Sequence, residues 1–153
     1  MGSRGYLVVI DDTPEATLAL RFAARRAEAT GGSLHILAPL PPADPIAWAD
    51  VGATIDAEER ADALEKARLV AQSIVEEHGL DPAVTVARGE PPEVVRDLVA
   101  SDASITSLVL ATAPTGAPGP LVSAFTGADA GLLPVPVIIV PGGLSDDAIE
   151  RLS

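Results

Sequence analysis

The sequence predicts a single-domain α/β protein in which helices cover both faces of a parallel sheet. Short apolar runs alternate with helical segments along the 153 residues. This order is typical of parallel strands joined by right-handed crossovers. Hydrophobic residues make up 48% of the chain and aromatic residues only 3%, so Ala, Val, Leu and Ile must fill the core. A chain of this length can bury a substantial core within one domain.

Local patterns predict each element in order. Short continuous apolar runs indicate strands buried on both faces, and they lie at residues 6–10, 33–40, 84–87, 107–111 and 135–140. Helical spacing predicts four helices between them, which lie at residues 14–29, 56–78, around 94–99, and from about 123. Thr13 suits the N-cap of the first helix. Residues 1–144 form the predicted domain, and residues 145–153 form an acidic C-terminal tail.

Charge and composition exclude several classes of function. The formal net charge is −12, which opposes binding to nucleic acid or to an anionic membrane surface because the phosphates would be repelled. The absence of cysteine excludes disulfides, Cys-zinc sites and thiol chemistry. The first residues lack the pattern of a signal peptide, and no segment has the length of a membrane span. We therefore expect a cytoplasmic protein.

Several stretches together resemble the universal stress protein family. They are LVVIDDTPEATLALRFAARRAEATGGSLHIL, ARGEPPEVVRDLV, SLVLA and PVPVIIVP, and taken in order they extend from residue 7 to residue 141. The resemblance implies an adenine nucleotide alpha hydrolase-like, Rossmann-like fold with an open five-stranded sheet of order 3-2-1-4-5. Strands one and four would then be neighbours where the winding reverses, and ligands bind at such a point.

The resemblance also implies where a nucleotide would bind. In ATP-binding members of the family, an Asp at the position of Asp11 lies beside the nucleoside. The loop after strand four holds the phosphates through the pattern glycine, two residues, glycine, nine residues, then glycine with Ser or Thr. The candidate nucleotide-binding residues here are Asp11, Pro39, Leu40, Ala111, Thr112, Gly116, Gly119 and Ser123.

This chain departs from the glycine pattern. Counted from strand four, the first two glycine positions hold Ala111 and Pro114. Counted back from strand five, the Gly-Ser/Thr pair falls near Ser123-Ala124. Gly116 and Gly119 have the expected spacing of glycine, two residues, glycine. They lie five residues further along the chain than the first two glycines of the family pattern. Glycines matter in such a loop because they allow positive φ and close approach of the backbone to phosphate.

The loop also lacks donors and cations. Pro114, Pro118 and Pro120 remove three backbone N–H groups. No Lys or Arg lies between Arg96 and Arg151. A loop of this kind is a poor anion site, so the sequence favours a stiff connector over a working phosphate loop. We expect no cofactor, although ATP or AMP stays open as a ligand.

Other catalytic or metal sites find little support. Asp11-Asp12 resembles the acidic pair of receiver domains, but no Asp follows strand three and Pro141 stands near where those domains have a Lys. No metal site is therefore predicted. His35 and His78 have no partners at ligand or triad spacing. No set of residues points to an enzyme, and a weak ATPase is the only activity left open.

Two features point to contacts beyond the nucleotide site. The fifth strand would be an edge strand that is apolar on both faces, and such an edge can pair with another chain. We therefore predict a homodimer through this strand, as in the family; its interface residues are Val135, Val137, Ile138, Ile139 and Val140. Trp48 lies in the Pro-rich loop at residues 39–55, where it could cap a ligand, join an interface or pack on the second helix.

The sequence therefore favours a non-catalytic regulatory or stress-response module with a degenerate ATP-binding loop. The alternative is a universal stress protein that binds ATP, AMP or another small ligand between strands one and four. Neither the protein partner nor the stress that it answers can be read from the sequence.

Overall fold

The computed structural model describes residues 3–11, 13–128 and 130–153. Asp12, the second carboxylate of the Asp11-Asp12 pair, lies outside the described residues. The strands β1 to β5 are Gly5–Val9, Ser33–Leu40, Ala83–Arg88, Ser107–Ala111 and Val137–Val140. The helices α1 to α5 are Glu15–Thr30, Gly52–His78, Pro91–Ser101, Pro120–Thr126 and Asp146–Leu152. A short 3-10 helix, Ala130–Leu132, precedes β5.

All five strands are parallel and lie in the order β3-β2-β1-β4-β5, which confirms the predicted topology. In the centre of the sheet, Leu7 is paired with His35 of β2 on one side and with Leu108 of β4 on the other. The winding reverses between β1 and β4. The carboxyl ends of these strands therefore form the edge where parallel α/β sheets hold their ligands.

The core consists of two clusters, one on each face of the sheet. Successive residues of a strand point to opposite faces, so Tyr6 and Val8 join one cluster while Leu7 and Val9 join the other. The first cluster packs α1, α2 and α5 on the sheet, and the second packs α3 and α4. Burial on both faces explains why the central strands are continuous apolar runs.

Several element starts differ from the prediction, among them that of α2, which begins at Gly52 rather than Asp56. Helix α4 begins at Pro120 rather than near Ser123, because proline fits the first turn of a helix, where its missing N–H is not needed. Strand β5 begins at Val137, so Val135 precedes the strand. Pro136 lies directly before β5, where its ring does not interrupt the pairing with β4.

Residues 145–153, expected to form an acidic tail, instead form a helix packed on the domain. The Ser145 hydroxyl accepts a hydrogen bond from the Ala148 N–H at 3.2 Å and caps α5. Ile149 is buried in the core, and Arg21 pairs with Asp146 at 2.7 Å. The acidic residues of the first turn favour the helix start electrostatically. Among the described residues, no helix has both the length and the apolar character to cross a membrane.

Candidate functional site

Two cavities meet at Asp11, at the carboxyl end of β1. The smaller one lies between the ends of β1 and β4 and has a volume of about 30 Å³. The larger one lies between the end of β2 and α2 and has a volume of about 350 Å³. Asp11 lines both, so the two cavities divide the region where a nucleotide would be expected into a small part and a large part.

The smaller cavity is closed by the chain that follows β4. It is lined by Pro118 to Val122, among other residues. Leu121 and Val122 are 7% and 6% exposed and belong to the second core cluster. The remaining space has room for about two water molecules. Apolar side chains at the start of α4 therefore form part of the wall of this crevice.

Two backbone N–H groups at the start of the loop between β4 and α4 donate hydrogen bonds within the protein. The Ala113 N–H donates to the Pro118 carbonyl at 3.1 Å and closes the loop. The Thr112 N–H donates to the Val140 carbonyl at 3.0 Å, and the Thr112 hydroxyl accepts from the Gly142 N–H at 3.0 Å. Thr112 is thus tied to the end of β5 through both its N–H and its hydroxyl oxygen.

Gly116 and Gly119 have a conformational role in this loop. Their φ angles are +78° and +111°, values that L side chains rarely adopt. Gly116 is exposed at the loop tip, and Gly119 lines the smaller cavity just before α4. The two glycines allow the turn that leads into α4 and places Leu121 in the wall of the crevice. Their glycine-x-x-glycine spacing is therefore explained by this turn.

Asp11 has a local partner. Its Oδ1 atom accepts hydrogen bonds from the N–H of Thr13 at 3.0 Å and from the Thr13 hydroxyl. The prediction of Thr13 as a side-chain N-cap is therefore wrong, since its hydroxyl donates to Asp11 and α1 begins without a side-chain cap. The Asp11 carboxylate is held at the mouth of both cavities.

The larger cavity has a mixed lining with an acidic balance. The end of β2 contributes Pro39 and Leu40. Helix α2 contributes Glu59, Asp62 and Lys66, so that with Asp11 there are three carboxyl groups and one ammonium group. A ligand rich in negative charge would meet net repulsion in this cavity.

The predicted site residues therefore separate into three groups. Asp11, Pro39 and Leu40 share the larger cavity. Ala111 and Gly119 line the smaller one with Asp11. Three predicted residues lie outside the lining of both cavities, and they are Thr112, Gly116 and Ser123. Ser123 is an exposed residue of α4.

Sequence reasoning missed a charged cluster centred on Arg88 at the end of β3. Arg88 donates to Asp56 at 2.9 Å and to Glu59 at 2.8 Å, and its guanidinium lies 4.2 Å from the centroid of the Trp48 ring. Trp48 thus stacks on Arg88 next to the start of α2, where it also lies close to Gly52. One signal in the sequence could have indicated this cluster: Arg88 lies at the carboxyl end of a predicted strand, at the edge of the sheet where a ligand was expected.

The cluster keeps its groups charged. The hydrogen bond from Arg60, followed by the one from Arg88, holds the pKa of Asp56 below its ordinary value. Burial lowers the pKa of Arg88, but its hydrogen bonds to Asp56 and Glu59 outweigh burial and raise that pKa overall. Because the pKa of Asp56 is lowered, its ion pairs persist at ordinary pH and weaken only as pH falls through that lowered pKa.

Both histidines have partners that the sequence did not reveal. His78 Nδ1 lies 2.8 Å from Glu28. His35 lies 3.6 Å from Asp102 and 3.3 Å from the Ser104 hydroxyl. The Ser104 hydroxyl donates to Asp102, an orientation unsuited to losing its proton to His35. Within the described part of the chain, no cluster of His, Cys, Asp or Glu could hold a metal ion.

Strand β5 leaves one side of its backbone open at the edge of the sheet. The Leu108 N–H donates to the Pro136 carbonyl, and the Thr112 N–H donates to the Val140 carbonyl, both at 3.0 Å. Since backbone groups alternate along a strand, those of Val137 and Ile139 face the free edge. Ile139 is 37% exposed, whereas Val140 is buried.

Comparisons with known proteins agree with this architecture. The model of the universal stress protein family matches residues 4–141, while none of the curated proteins matches the chain. Among solved structures, the chain is similar to the universal stress protein UspA from Lactobacillus plantarum, with 21% identity and a TM-score of 0.72 over 92% of this chain and 99% of the other.

Two further similar structures contain adenine nucleotides. One is a universal stress protein in complex with cAMP, with 18% identity and a TM-score of 0.58 over 93% of this chain and 99% of the other. The second is the Archaeoglobus fulgidus universal stress protein in complex with dAMP, with 20% identity and a TM-score of 0.56 over 92% of this chain and 99% of the other. At these identities, the likeness establishes a shared fold.

Proposed function

This chain belongs to the universal stress protein family, and from that premise we propose that it is a non-catalytic regulatory module that does not hold nucleotides by their phosphates. The observation that carries the proposal is the closed crevice between β1 and β4. Its volume is about 30 Å³, and Leu121 and Val122 are buried in its wall. A triphosphate cannot enter this space unless the start of α4 moves.

The chemistry around the crevice supports the same proposal. A phosphate site in a loop depends on free N–H groups and on nearby cations. Here Pro114, Pro118 and Pro120 have no N–H, and the Ala113 N–H is used within the loop. The nearest cations in sequence are Arg96 and Arg151. This loop would therefore offer phosphate charge no cationic partner.

The proposal that the module is non-catalytic rests on the groups around Asp11. Its carboxylate accepts two hydrogen bonds from Thr13. The described residues contain no cluster able to bind a metal, and the loop after β4 offers no cation to stabilise a transferring phosphoryl group. Hydrolysis of ATP would lack both electrostatic stabilisation and an activated nucleophile.

Calorimetric titration of ATP with magnesium, run beside an assay for released phosphate, tests this proposal. We expect no saturable heat at micromolar concentrations and no release of phosphate above the buffer control. Micromolar affinity for ATP that is lost in Asp11→Ala would contradict the proposal that the protein does not hold nucleotides by their phosphates. Phosphate release that is lost in the same variant would contradict the non-catalytic assignment.

A second candidate function is the binding of a small ligand in the larger cavity. Its volume of about 350 Å³ lies within the ordinary range for small-molecule sites. Pro39 and Leu40 contribute to its lining at the end of β2, and Asp11 offers a carboxylate at the mouth. The acidic lining favours an uncharged or cationic ligand over a phosphorylated one. An adenine nucleoside without phosphates would meet these requirements.

We also propose that the protein forms a homodimer through β5. Val137 and Ile139 direct unpaired backbone groups to the sheet edge, and Ile139 adds exposed apolar surface. An antiparallel pair of β5 strands from two copies would satisfy these groups. Pro141 follows β5 directly and has no N–H, so the pairing would not extend past β5 at that end.

Substitution Ile139→Lys is expected to convert this dimer to a monomer. The lysine would place a charge at the centre of the strand pair, opposite its own copy or next to it, where like charges destabilise pairing. Sedimentation equilibrium at micromolar concentration measures the change. Leu69→Lys is the matched control, since Leu69 is 63% exposed on α2 and lies away from β5. A wild-type monomer, or a variant that dimerises as well as the wild type, would refute this interface.

A further inference from the structure

Arg88 joins three separate parts of the chain at the carboxyl edge of the sheet. From the end of β3, it reaches Asp56 and Glu59 of α2. It also donates to the Pro41 carbonyl at 2.8 Å and stacks on the ring of Trp48 at 4.2 Å. The Arg88 side chain is only 10% exposed. A guanidinium group can serve all these contacts at once because its donors are fixed in one plane.

Two of these contacts are to walls of the larger cavity. Pro41 and Glu59 both line it, and each accepts a hydrogen bond from Arg88. Arg88 itself lies behind this wall rather than in the lining. Arg88 therefore joins Pro41 to Glu59 at this end of the cavity.

The segment of residues 41–50 that follows β2 has few other attachments. Apart from the Arg88 contacts, its described hydrogen bonds are internal. Asp44 accepts from the N–H groups of Ile46 at 3.0 Å and Ala47 at 3.3 Å, and its carbonyl accepts from the Trp48 N–H at 2.9 Å. Most of the segment is exposed, and Ile46 is 90% exposed. The segment is a compact turn that Arg88 attaches to the domain.

We propose that Arg88 is a positioning residue for the larger cavity: it holds the 41–50 segment in place and, with it, Pro41, which lines one end of the cavity. This inference rests on the second candidate function for the cavity, but the placement of the segment can be measured without any ligand. When Arg88 is absent, Asp56 and Glu59 lose a shared cation, and Trp48 loses the group on which it stacks. The segment then moves away from the domain and the cavity widens.

The substitution Arg88→Gln tests this role through Trp48, the one tryptophan of the chain. We expect Trp48 emission to move to longer wavelength as the ring becomes exposed. We also expect amide hydrogen exchange at residues 43–50 to rise by at least about tenfold, with exchange in β1 and β4 unchanged. Unchanged emission and unchanged exchange at residues 43–50 would overturn the proposal.

Arg60→Gln is the matched control. Arg60 also pairs with Asp56, at 2.7 Å, but its other hydrogen bond is to the Val86 carbonyl. It has no contact with Trp48 or Pro41 among those described. We expect Arg60→Gln to leave Trp48 emission and the exchange of residues 43–50 as in the wild type. If it changed them as much as Arg88→Gln does, general loss of charge on α2 would explain the effect and the proposal would fail.

A second variant covers the case in which Arg88→Gln does not fold. Trp48→Leu keeps the ion pairs of Arg88 but removes the stacking, and it should also raise exchange at residues 43–50.

Adenosine, the nucleoside probe, separates the positioning role of Arg88 from the proposed ligand function of the cavity. If Arg88→Gln exposes Trp48 while adenosine binds neither the wild type nor Arg88→Gln, the ligand function fails and the positioning role stands. If adenosine binds the wild type, we expect its dissociation constant to rise in Arg88→Gln.

Discussion

Substitution Leu7→Ala is expected to lower the free energy of unfolding by about 2–5 kcal/mol, the range for a fully buried leucine. Leu7 lies in the central strand, has 0% exposure and belongs to the cluster beneath α3 and α4. Strands on both sides hold its backbone, so the surroundings cannot collapse readily into the space left behind. Urea unfolding, followed by circular dichroism, measures the change.

Leu69→Ala provides the comparison for Leu7→Ala. Leu69 is 63% exposed on α2, and alanine is at least as good a helix former. We expect its effect to remain within about 0.5 kcal/mol. Equal effects at Leu7 and Leu69 would contradict the two-cluster core, because they would place Leu7 outside a tightly packed layer.

Substitution Gly142→Ala is expected to destabilise the protein by about 1–3 kcal/mol, as overpacking of a close contact does. A Cβ atom at Gly142 would lie 1.9 Å from the Thr112 carbonyl oxygen and 2.9 Å from the Pro114 nitrogen. Both contacts are with backbone atoms, which cannot rotate away. The start of the loop after β4 must therefore shift. Thermal and urea unfolding give the loss of stability, and amide exchange at Thr112 and Ala113 locates it.

Gly143→Ala is the control for this prediction. A Cβ atom at Gly143 would have no neighbour within 4 Å, and Gly143 is not among the glycines with positive φ. We expect a change within about 0.5 kcal/mol. If Gly142→Ala were as mild as Gly143→Ala, the loop after β4 would not be held against the end of β5 as described.

The topology could be predicted because each local signal agreed with the whole fold. The bounds of β2 and β4 match the prediction residue for residue, since both are apolar runs buried on two faces. The starts of α4 and β5 were misplaced because Pro120 and Pro136 break the apolar pattern there. Helix α5 was missed because its acidic residues outweighed the capping signal of Ser145.

The candidate site was less accessible to sequence reasoning. Missing N–H groups and cations in the loop after β4 could be counted directly from the sequence. The burial of Leu121 and Val122 in the wall of the crevice could not be predicted, because it depends on where α4 begins. The contacts of Arg88 with Pro41 and Trp48 join residues at least 40 apart in the chain. Only the pairing of β2 with β3, which sets Leu40 beside Arg88, brings them together.

The central claim is that phosphates add nothing to ligand binding by this chain. The most direct test measures the dissociation constants of adenosine, AMP and magnesium-ATP on one preparation of the protein. We predict that affinity stays level or falls as phosphates are added, and the absence of binding by all three agrees with this claim. Magnesium-ATP binding at least about tenfold tighter than adenosine, worth roughly 1.4 kcal/mol, would contradict it and show that the loop after β4 opens to hold phosphate.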